Sequence, residues 1–207
     1  MTSADPPVNM ARMNRNRLEA FSDGVLAIII TIMVLEMKVS YGADLAALKT
    51  KLPVFLSYVL SFIYVGIYWN NHHHLLHTVG RVSGGILWAN LHLLFWLSLF
   101  PFATAWIGEN PRDSTPMAVY GVVLVMAAIA YYILQRAIIS RQGPDSLLAA
   151  ALGGDWKGKF SPVVYLSAIP LAFVHAWISA ALYATVAMLW LIPDRRIEAA
   201  LAETPKK

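Results

Sequence analysis

The chain has 207 residues, of which 58% are hydrophobic and only 14% are charged. A soluble domain contains about 45–50% apolar and about 25% charged residues. Here the apolar residues form long uncharged blocks, which indicates a polytopic, helical membrane protein. The absence of cysteine excludes disulfides, zinc–thiolate sites and iron–sulfur clusters. The net charge of +4 comes from basic residues beside the apolar blocks, so it indicates membrane orientation rather than a nucleic-acid partner.

The apolar blocks predict the helices in chain order. Residues 1–13 and 194–207 are expected to be cytoplasmic tails around a transmembrane domain over residues 14–193. The predicted helices cover residues 14–39, 52–80, 86–107 with a kink at Pro101, and 115–139. Residues 160–193 are uncharged. As one helix they would be about 51 Å long, against a membrane core of about 30 Å. Two short helices are therefore predicted, with a break between Pro170 and Trp177.

The basic residues favour six membrane crossings over five. With six crossings, one side of the membrane holds twelve of the sixteen Lys and Arg residues. With five crossings the C-terminal tail changes sides, and the count becomes eight against eight. Because basic residues concentrate on the cytoplasmic side, we expect an all-α protein of six transmembrane helices in the cell membrane, with both termini cytoplasmic. The twelve residues are Arg12, Arg15, Arg17, Arg81, Arg136, Arg141, Lys157, Lys159, Arg195, Arg196, Lys206 and Lys207.

The first helix has a short apolar run. Residues 24–35 are uncharged, but Asp23 and Glu36 bracket them. A helix that faces lipid needs about 20 apolar residues. Acidic side chains near membrane depth usually face protein or a water-filled cavity. This helix is therefore expected to be central in the bundle rather than peripheral.

One face of the first helix has a periodic pattern. Positions seven apart nearly realign on a helix, which aligns Phe21, Ile28 and Leu35, with Thr31 and Ile32 beside them. Several copies around an axis would form apolar rings, and apolar constrictions can gate a pore by dewetting. The periodicity alone favours a plainer interpretation, an ordinary buried face packed against neighbouring helices.

The same helix carries a motif that resembles a known family. Arg17-x-x-x-Phe21-Ser22-Asp23, followed by an aliphatic helix with Thr31 and Leu35-Glu36, is similar to the signature of the transmembrane protein 175 family. Its members are potassium-permeable channels of lysosomes and of prokaryotic membranes. The resemblance extends to the six-helix layout, the short loops and the Trp-x-Asn-His stretch that begins at Trp69.

This resemblance implies a function and a set of pore residues. It implies a potassium-permeable cation channel, not an enzyme, with the first helix lining the pore in place of a carbonyl selectivity filter. Ile28 would form the constriction, Ile32 and Leu35 would continue the apolar lining, and Thr31 would offer a hydroxyl for selectivity. Animal members carry two six-helix repeats, so a single-repeat chain is expected to form a homotetramer. Its partners would be copies of itself, membrane lipid, potassium and other monovalent cations, without a cofactor.

The resemblance also implies that the motif belongs to a hydrogen-bond network supporting the pore helix. Arg17 and Asp23 are six residues apart and lie on different faces of the helix, so they cannot easily pair. Each is expected to find a partner on another helix or subunit. Trp69 and His73 are the candidates, and Phe21 and Ser22 complete the motif. A plainer interpretation of Arg17 is a cytoplasmic positive-inside anchor.

Four other functions have sequence features to weigh. His73 and His77 are spaced like two metal ligands on one helix face, but no third ligand is apparent, so no metal site is predicted. The same histidines would suit pH sensing. A proton- or ion-coupled transporter is the alternative to a channel, although no inverted repeat is evident. An enzyme would need a nucleophile or a metal site with its supporting residues, and no pair of residues has a spacing that indicates such an arrangement.

Overall fold

The computed structural model describes residues 8–38, 44–143, 146, 148–149 and 156–191. In this part of the chain, all the regular secondary structure is α-helical, which confirms the predicted all-α class. The helices are α1 (Val8–Leu35), α2 (Leu45–Thr50), α3 (Leu52–His77), α4 (Gly84–Leu97), α5 (Phe100–Glu109), α6 (Ser114–Gln142), α7 (Trp156–Ala172) and α8 (Ala176–Leu191). The expectations for residues 1–7 and 192–207 lie outside the described residues.

Two boundaries near the N-terminus differ from the predictions. Helix α1 begins at Val8, six residues before the predicted start of the first helix at residue 14. Helix α2 lies between the predicted helices over residues 14–39 and 52–80, where no helix was predicted. Its N-cap is Asp44, whose carboxylate accepts a hydrogen bond from the backbone N–H of Ala47. Both differences concern a helix end or a single short helix, where apolar periodicity gives little signal.

Two breaks between helices lie where the sequence predicted them. Helix α4 ends at Leu97 and α5 begins at Phe100, because Pro101 has no N–H to continue the helical ladder. The break between α7 and α8 covers residues 173–175 and lies within the predicted interval. Helix α7 begins at Trp156, four residues before the uncharged block, and contains both Pro162 and Pro170.

The helices confirm an integral membrane protein. Four continuous or nearly continuous helical segments of the described chain are long and apolar enough to cross a membrane. They are Arg15–Leu35, Leu52–His77, Gly84–Glu109 (which joins α4 and α5) and Ser114–Gln142. Helix α8 is also apolar but has only 16 residues, and α7 has 17.

Helix α6, and not α1, lies at the centre of the single chain. It packs against α4, α5, α7 and α8, and it buries Tyr120, Leu124, Ala127, Ala130 and Leu134. Helix α1 contacts α3, α4 and α5 from one side only. The expectation that α1 is central is therefore wrong within one chain. Helix α3 provides partners for Glu19 and Asp23 of α1, so these two carboxylates do not require enclosure on all sides.

Tyrosine side chains connect α8 to the centre of the bundle. The Tyr64 hydroxyl on α3 donates a 2.7 Å hydrogen bond to the Tyr183 carbonyl, and the Tyr183 hydroxyl donates to the Met117 carbonyl at 3.2 Å. Gly121 on α6 permits this packing, because a Cβ there would lie 2.1 Å from the Tyr183 hydroxyl. Buried tyrosines thus satisfy their hydroxyl groups through backbone carbonyls of neighbouring helices.

Candidate functional site

The buried side of α1 attaches the helix to the rest of the bundle. Leu18, Ser22, Leu26, Ile29 and Met33 are buried and recur at intervals of three or four residues. This spacing puts them on one helical face, which packs against α3, α4 and α5. The attachment is therefore mostly apolar, with Ser22 as its buried polar residue.

The opposite side of α1 is uncovered in the single chain. The side chains of Phe21, Ile28, Ile32 and Leu35 are 52%, 57%, 40% and 78% exposed. Thr31 is also exposed, and its hydroxyl donates to the carbonyl of Ile28 at 2.9 Å. The residues predicted to line a pore thus share one exposed face; they are Ile28, Thr31, Ile32 and Leu35. The alternative interpretation, an ordinary buried face, is wrong within one chain.

A buried hydrogen-bond chain links α1, α4 and α3. Asn90 donates through Nδ2 to Ser22 Oγ at 3.0 Å, and Ser22 donates to the carbonyl of Leu18 at 2.8 Å. On the other side of the amide, Asn90 Oδ1 lies 2.7 Å from His72 Nε2. Because Oδ1 can only accept, His72 carries a proton on Nε2 and donates it. All three side chains are at most 1% exposed.

The sequence indicated only part of this buried chain. Ser22 was predicted to belong to a network, but His72 and Asn90 were not. Asn90 is a single amide within the apolar helix α4. A buried amide needs hydrogen-bond partners, so its place in an apolar block was a signal that a polar contact lies opposite.

Two polar pairs connect α1 to α3 beside the buried chain. Trp69 Nε1 donates to Asp23 Oδ1 at 3.0 Å. One helical turn away, His73 Nδ1 lies 3.0 Å from Glu19 Oε1. The order of the two pairs shows that α1 and α3 run antiparallel. The predicted Trp69 contact is present, whereas His73 contacts Glu19 rather than Asp23 or Arg17. The prediction for His73 is therefore corrected. His73 lies one turn beyond Trp69 on α3, and because the helices are antiparallel it meets Glu19, which lies one turn before Asp23 on α1.

The remaining motif residues point away from these contacts. Arg17 and Phe21 are on the exposed side of α1. The structure therefore brings together Ser22, Asp23 and Trp69 of the predicted network and leaves Arg17 and Phe21 outside it. Their expected contacts with another subunit, and the anchoring alternative for Arg17, stay predictions.

A second buried polar cluster lies further along α1 and was not predicted. Thr104 Oγ1 donates to Ser61 Oγ at 2.6 Å, and Ser61 Oγ lies 2.9 Å from the Tyr120 hydroxyl. Thr104 Oγ1 also lies 3.8 Å from Met33 Sδ. Single hydroxyl residues in apolar helices are common, so the sequence did not indicate which of them would meet.

Together, these features define a polytopic helical membrane protein whose first helix is held by polar contacts and exposes an apolar face. The family model described as endosomal/lysosomal potassium channel TMEM175 matches residues 17–101. A potassium channel of Chryseobacterium sp. (strain P1-3) is 56% identical over 191 residues, covering 92% of this chain and 100% of the relative. The chain therefore belongs to the TMEM175 family, which is a family of ion channels and not of enzymes.

Similarity to other members supports the same assignment. The crystal structure of a lysosomal potassium-selective channel TMEM175 homolog from Chamaesiphon minutus superposes with a TM-score of 0.77 at 28% identity, covering 88% of this chain and 98% of that one. A human relative named endosomal/lysosomal proton channel TMEM175 is 33% identical over 116 residues, which are 49% of this chain and 23% of the relative.

Proposed function

We propose that this chain is a potassium-permeable cation channel whose pore is lined by α1 in a homotetramer. The observation that carries the proposal is the uncovered face of α1, where Phe21, Ile28, Ile32 and Leu35 are exposed although the opposite face is packed. A helix attached on one side only leaves its other side available to further copies of the chain.

The exposed face would form the permeation path when four copies surround an axis. Ile28 and Leu35 are seven residues apart, or about 10 Å along the helix. They would form two apolar layers, with Ile32 between them. Apolar layers admit ions only when they are wide enough to stay hydrated. The Thr31 hydroxyl lies between the two layers and would contact a partly hydrated potassium ion.

The polar contacts of α1 would act as a scaffold for this pore. The hydrogen bonds of Ser22 with Asn90 and of Asp23 with Trp69 join the part of α1 that precedes Ile28 to α4 and α3. Buried hydrogen-bond networks specify one arrangement of the helices that they join. A fixed position of α1 would keep the width of the apolar layers constant. Arg17 and Phe21 would contact a neighbouring subunit.

Six crossings would be provided by α1, α3, the α4–α5 pair, α6, α7 and α8. Helices α7 and α8, with 17 and 16 residues, are about 25 and 24 Å long, which is a few Å shorter than a membrane core of about 30 Å, and they would cross where the bilayer thins around them. An even number puts both termini on one side. The distribution of basic residues then supports a cytoplasmic location for both termini of a cell-membrane protein.

Flux from potassium-loaded proteoliposomes tests this function. We expect potassium efflux from the wild type and altered size or ion selectivity of that efflux for Ile28→Asn. The matched control is Ile178→Asn, because Ile178 is also an exposed isoleucine (42%) but lies on α8. A pH-sensitive dye in the same vesicles would report proton flux, since animal relatives are named proton channels. Equal effects of both variants would contradict the placement of the constriction at Ile28.

The absence of native cysteine allows a direct test of assembly. Under a mild oxidant, Leu35→Cys is expected to form intersubunit disulfides, and light scattering should give four times the chain mass of 22.9 kDa. Val163→Cys on α7, which is similarly exposed, is the control and should stay uncrosslinked. Crosslinking of the control alone, or a different mass, would contradict a tetramer with α1 at its axis.

A further inference from the structure

Three potential metal ligands meet where α1 and α3 approach each other. His73 Nδ1 lies 3.0 Å from Glu19 Oε1, and His77 Nε2 lies 3.7 Å from the same oxygen. One donor atom from each of the three residues lies within 4.8 Å of the others. The third ligand that was not apparent from the sequence is thus the carboxylate of Glu19, which comes from a different helix.

We propose that Glu19, His73 and His77 form a binding site for Zn²⁺ that joins α1 to α3. Zinc binds imidazole nitrogen and carboxylate oxygen at about 2.0–2.2 Å, and sites with three protein ligands keep a water in the fourth position. Ligand atoms in a tetrahedral site are then about 3.3–3.5 Å apart. The two observed nitrogen–oxygen distances bracket that value.

The exposure of the three side chains suits a reversible site. Glu19 is 18% exposed, and His73 and His77 are 40% and 41% exposed, so an ion can enter from solvent. The two histidines are four residues apart on α3, and their ring centroids are 4.4 Å apart. Their shared helical face therefore holds both nitrogens toward one carboxylate before any ion binds.

The surrounding charges act in both directions. Asp23 lies one turn along α1 and favours a cation, whereas Arg15 lies one turn before Glu19 and opposes it. His74 lies beside the site, with its ring 5.7 Å from that of His73, but it does not contribute to the group of three ligands. Histidine and carboxylate ligands favour zinc over magnesium, which prefers oxygen ligands in an octahedron.

A bound ion would hold α1 against α3 one turn from the Trp69–Asp23 hydrogen bond. The additional constraint would lie on the part of α1 that precedes Ile28. If α1 lines the pore, zinc would change the potassium flux. This consequence rests on the proposed function, whereas the binding of zinc to the three residues does not.

Metal titration of the purified full-length protein tests the site. The protein is prepared without a polyhistidine tag, and thermal unfolding is followed as Zn²⁺ is added. We expect the wild-type Tm to rise with zinc, because an ion that binds the folded state stabilises it. For His77→Gln and Glu19→Gln we expect apparent zinc affinity to fall at least tenfold. His74→Gln is the matched control and should keep the wild-type response, and Mg²⁺ should produce no comparable shift.

A spectroscopic measurement separates this site from weak surface binding. Co²⁺ in a tetrahedral site of nitrogen and oxygen ligands gives visible d–d absorption, expected for the wild type and His74→Gln and lost in His77→Gln. The Tm of each variant without metal shows that it folds. Equal zinc responses of His77→Gln and the wild type, or the absence of cobalt absorption and Tm shift, would overturn the proposal. Zinc binding without any potassium flux would keep the site and contradict only the channel function.

Discussion

Helices α1 and α6 have nearly equal hydropathy and very different environments. In the most apolar window of α6, 56% of the residues are buried, whereas the corresponding share in α1 is 28%. Hydropathy therefore identifies both as membrane helices but does not show which one the bundle surrounds. A membrane removes the usual cost of exposing apolar residues, so an apolar helix can lie at the edge of its chain.

The two helices also differ in how they are held. Helix α6 packs closely against four neighbouring helices, and the absence of a side chain at Gly121 allows Tyr183 to approach it. Helix α1 combines one apolar stripe with hydrogen bonds from Ser22 and Asp23. Close packing suits a permanent core. A few directed polar contacts suit a helix whose position must be set while its other face remains available.

The largest expected effect tests whether polar contacts hold α1. Asn90→Ala removes the acceptor of the His72 Nε2–H group and the donor to Ser22 Oγ, which keeps its own hydrogen bond to the Leu18 carbonyl. A buried polar group left unsatisfied costs about 1–3 kcal/mol. We expect a clear loss of stability, measured by thermal or denaturant unfolding in detergent. The control is Asn110→Ala, since Asn110 is only partly buried and donates to the nearby carbonyl of Trp106. Similar losses of stability for both variants would show that the buried hydrogen bonds of Asn90 have no special role in holding α1.

The next comparison exchanges glycine for alanine in each helix. Gly121→Ala puts a Cβ 2.1 Å from the Tyr183 hydroxyl and 2.9 Å from Ile169 Cγ1. Such overpacking costs about 1–3 kcal/mol. Gly24→Ala on α1 meets no atom within 4 Å, so we expect unchanged or slightly raised stability of the chain. The unfolding midpoint of Gly121→Ala should be lower than that of Gly24→Ala. A lower midpoint for Gly24→Ala would contradict the conclusion that α6 is packed more closely than α1.

A third pair compares the two faces of α1. Ser22→Ala leaves Asn90 Nδ2 without its acceptor and is expected to cost about 1–2 kcal/mol. Thr31→Val removes only a local bond to the carbonyl of Ile28 on the exposed face, so its unfolding midpoint should stay near that of the wild type. Under the proposed function, Thr31→Val would instead alter ion selectivity in the flux assay. Equal destabilisation by both would mean that Thr31 is covered in the assembled protein.

The smallest expected effect concerns the Trp69–Asp23 hydrogen bond. Trp69→Phe removes its donor, but Asp23 can be hydrated because the bond is exposed. We expect a loss below about 1 kcal/mol, as is usual for exposed charged partners. Trp88→Phe, at another exposed tryptophan, is the control in the same unfolding measurement. If Trp69→Phe lost as much stability as Asn90→Ala, the Trp69–Asp23 hydrogen bond, rather than the buried hydrogen bonds of Asn90, would be the main polar attachment of α1.

Much of the fold could be predicted because its causes are local. The kink at Pro101 follows from a missing N–H, and the break after Pro170 follows from a block too long for one crossing. Trp69 was also predicted, through a motif, as a candidate partner for the charged residues of α1. His72 and Asn90 were missed, because a histidine among three and a single amide in an apolar helix give no spacing that joins them.

The amino-acid sequence by itself determined that this is an all-helical membrane protein, where its main helices lie, and which residues of α1 share a face. These properties depend on chain length, hydropathy and the 3.6-residue turn, which act within a single segment. The tertiary structure decided that α6 occupies the centre, that Asn90 joins Ser22 to His72, and that Glu19 meets His73 and His77. These contacts depend on the distance and rotation between helices, which no spacing within one helix specifies.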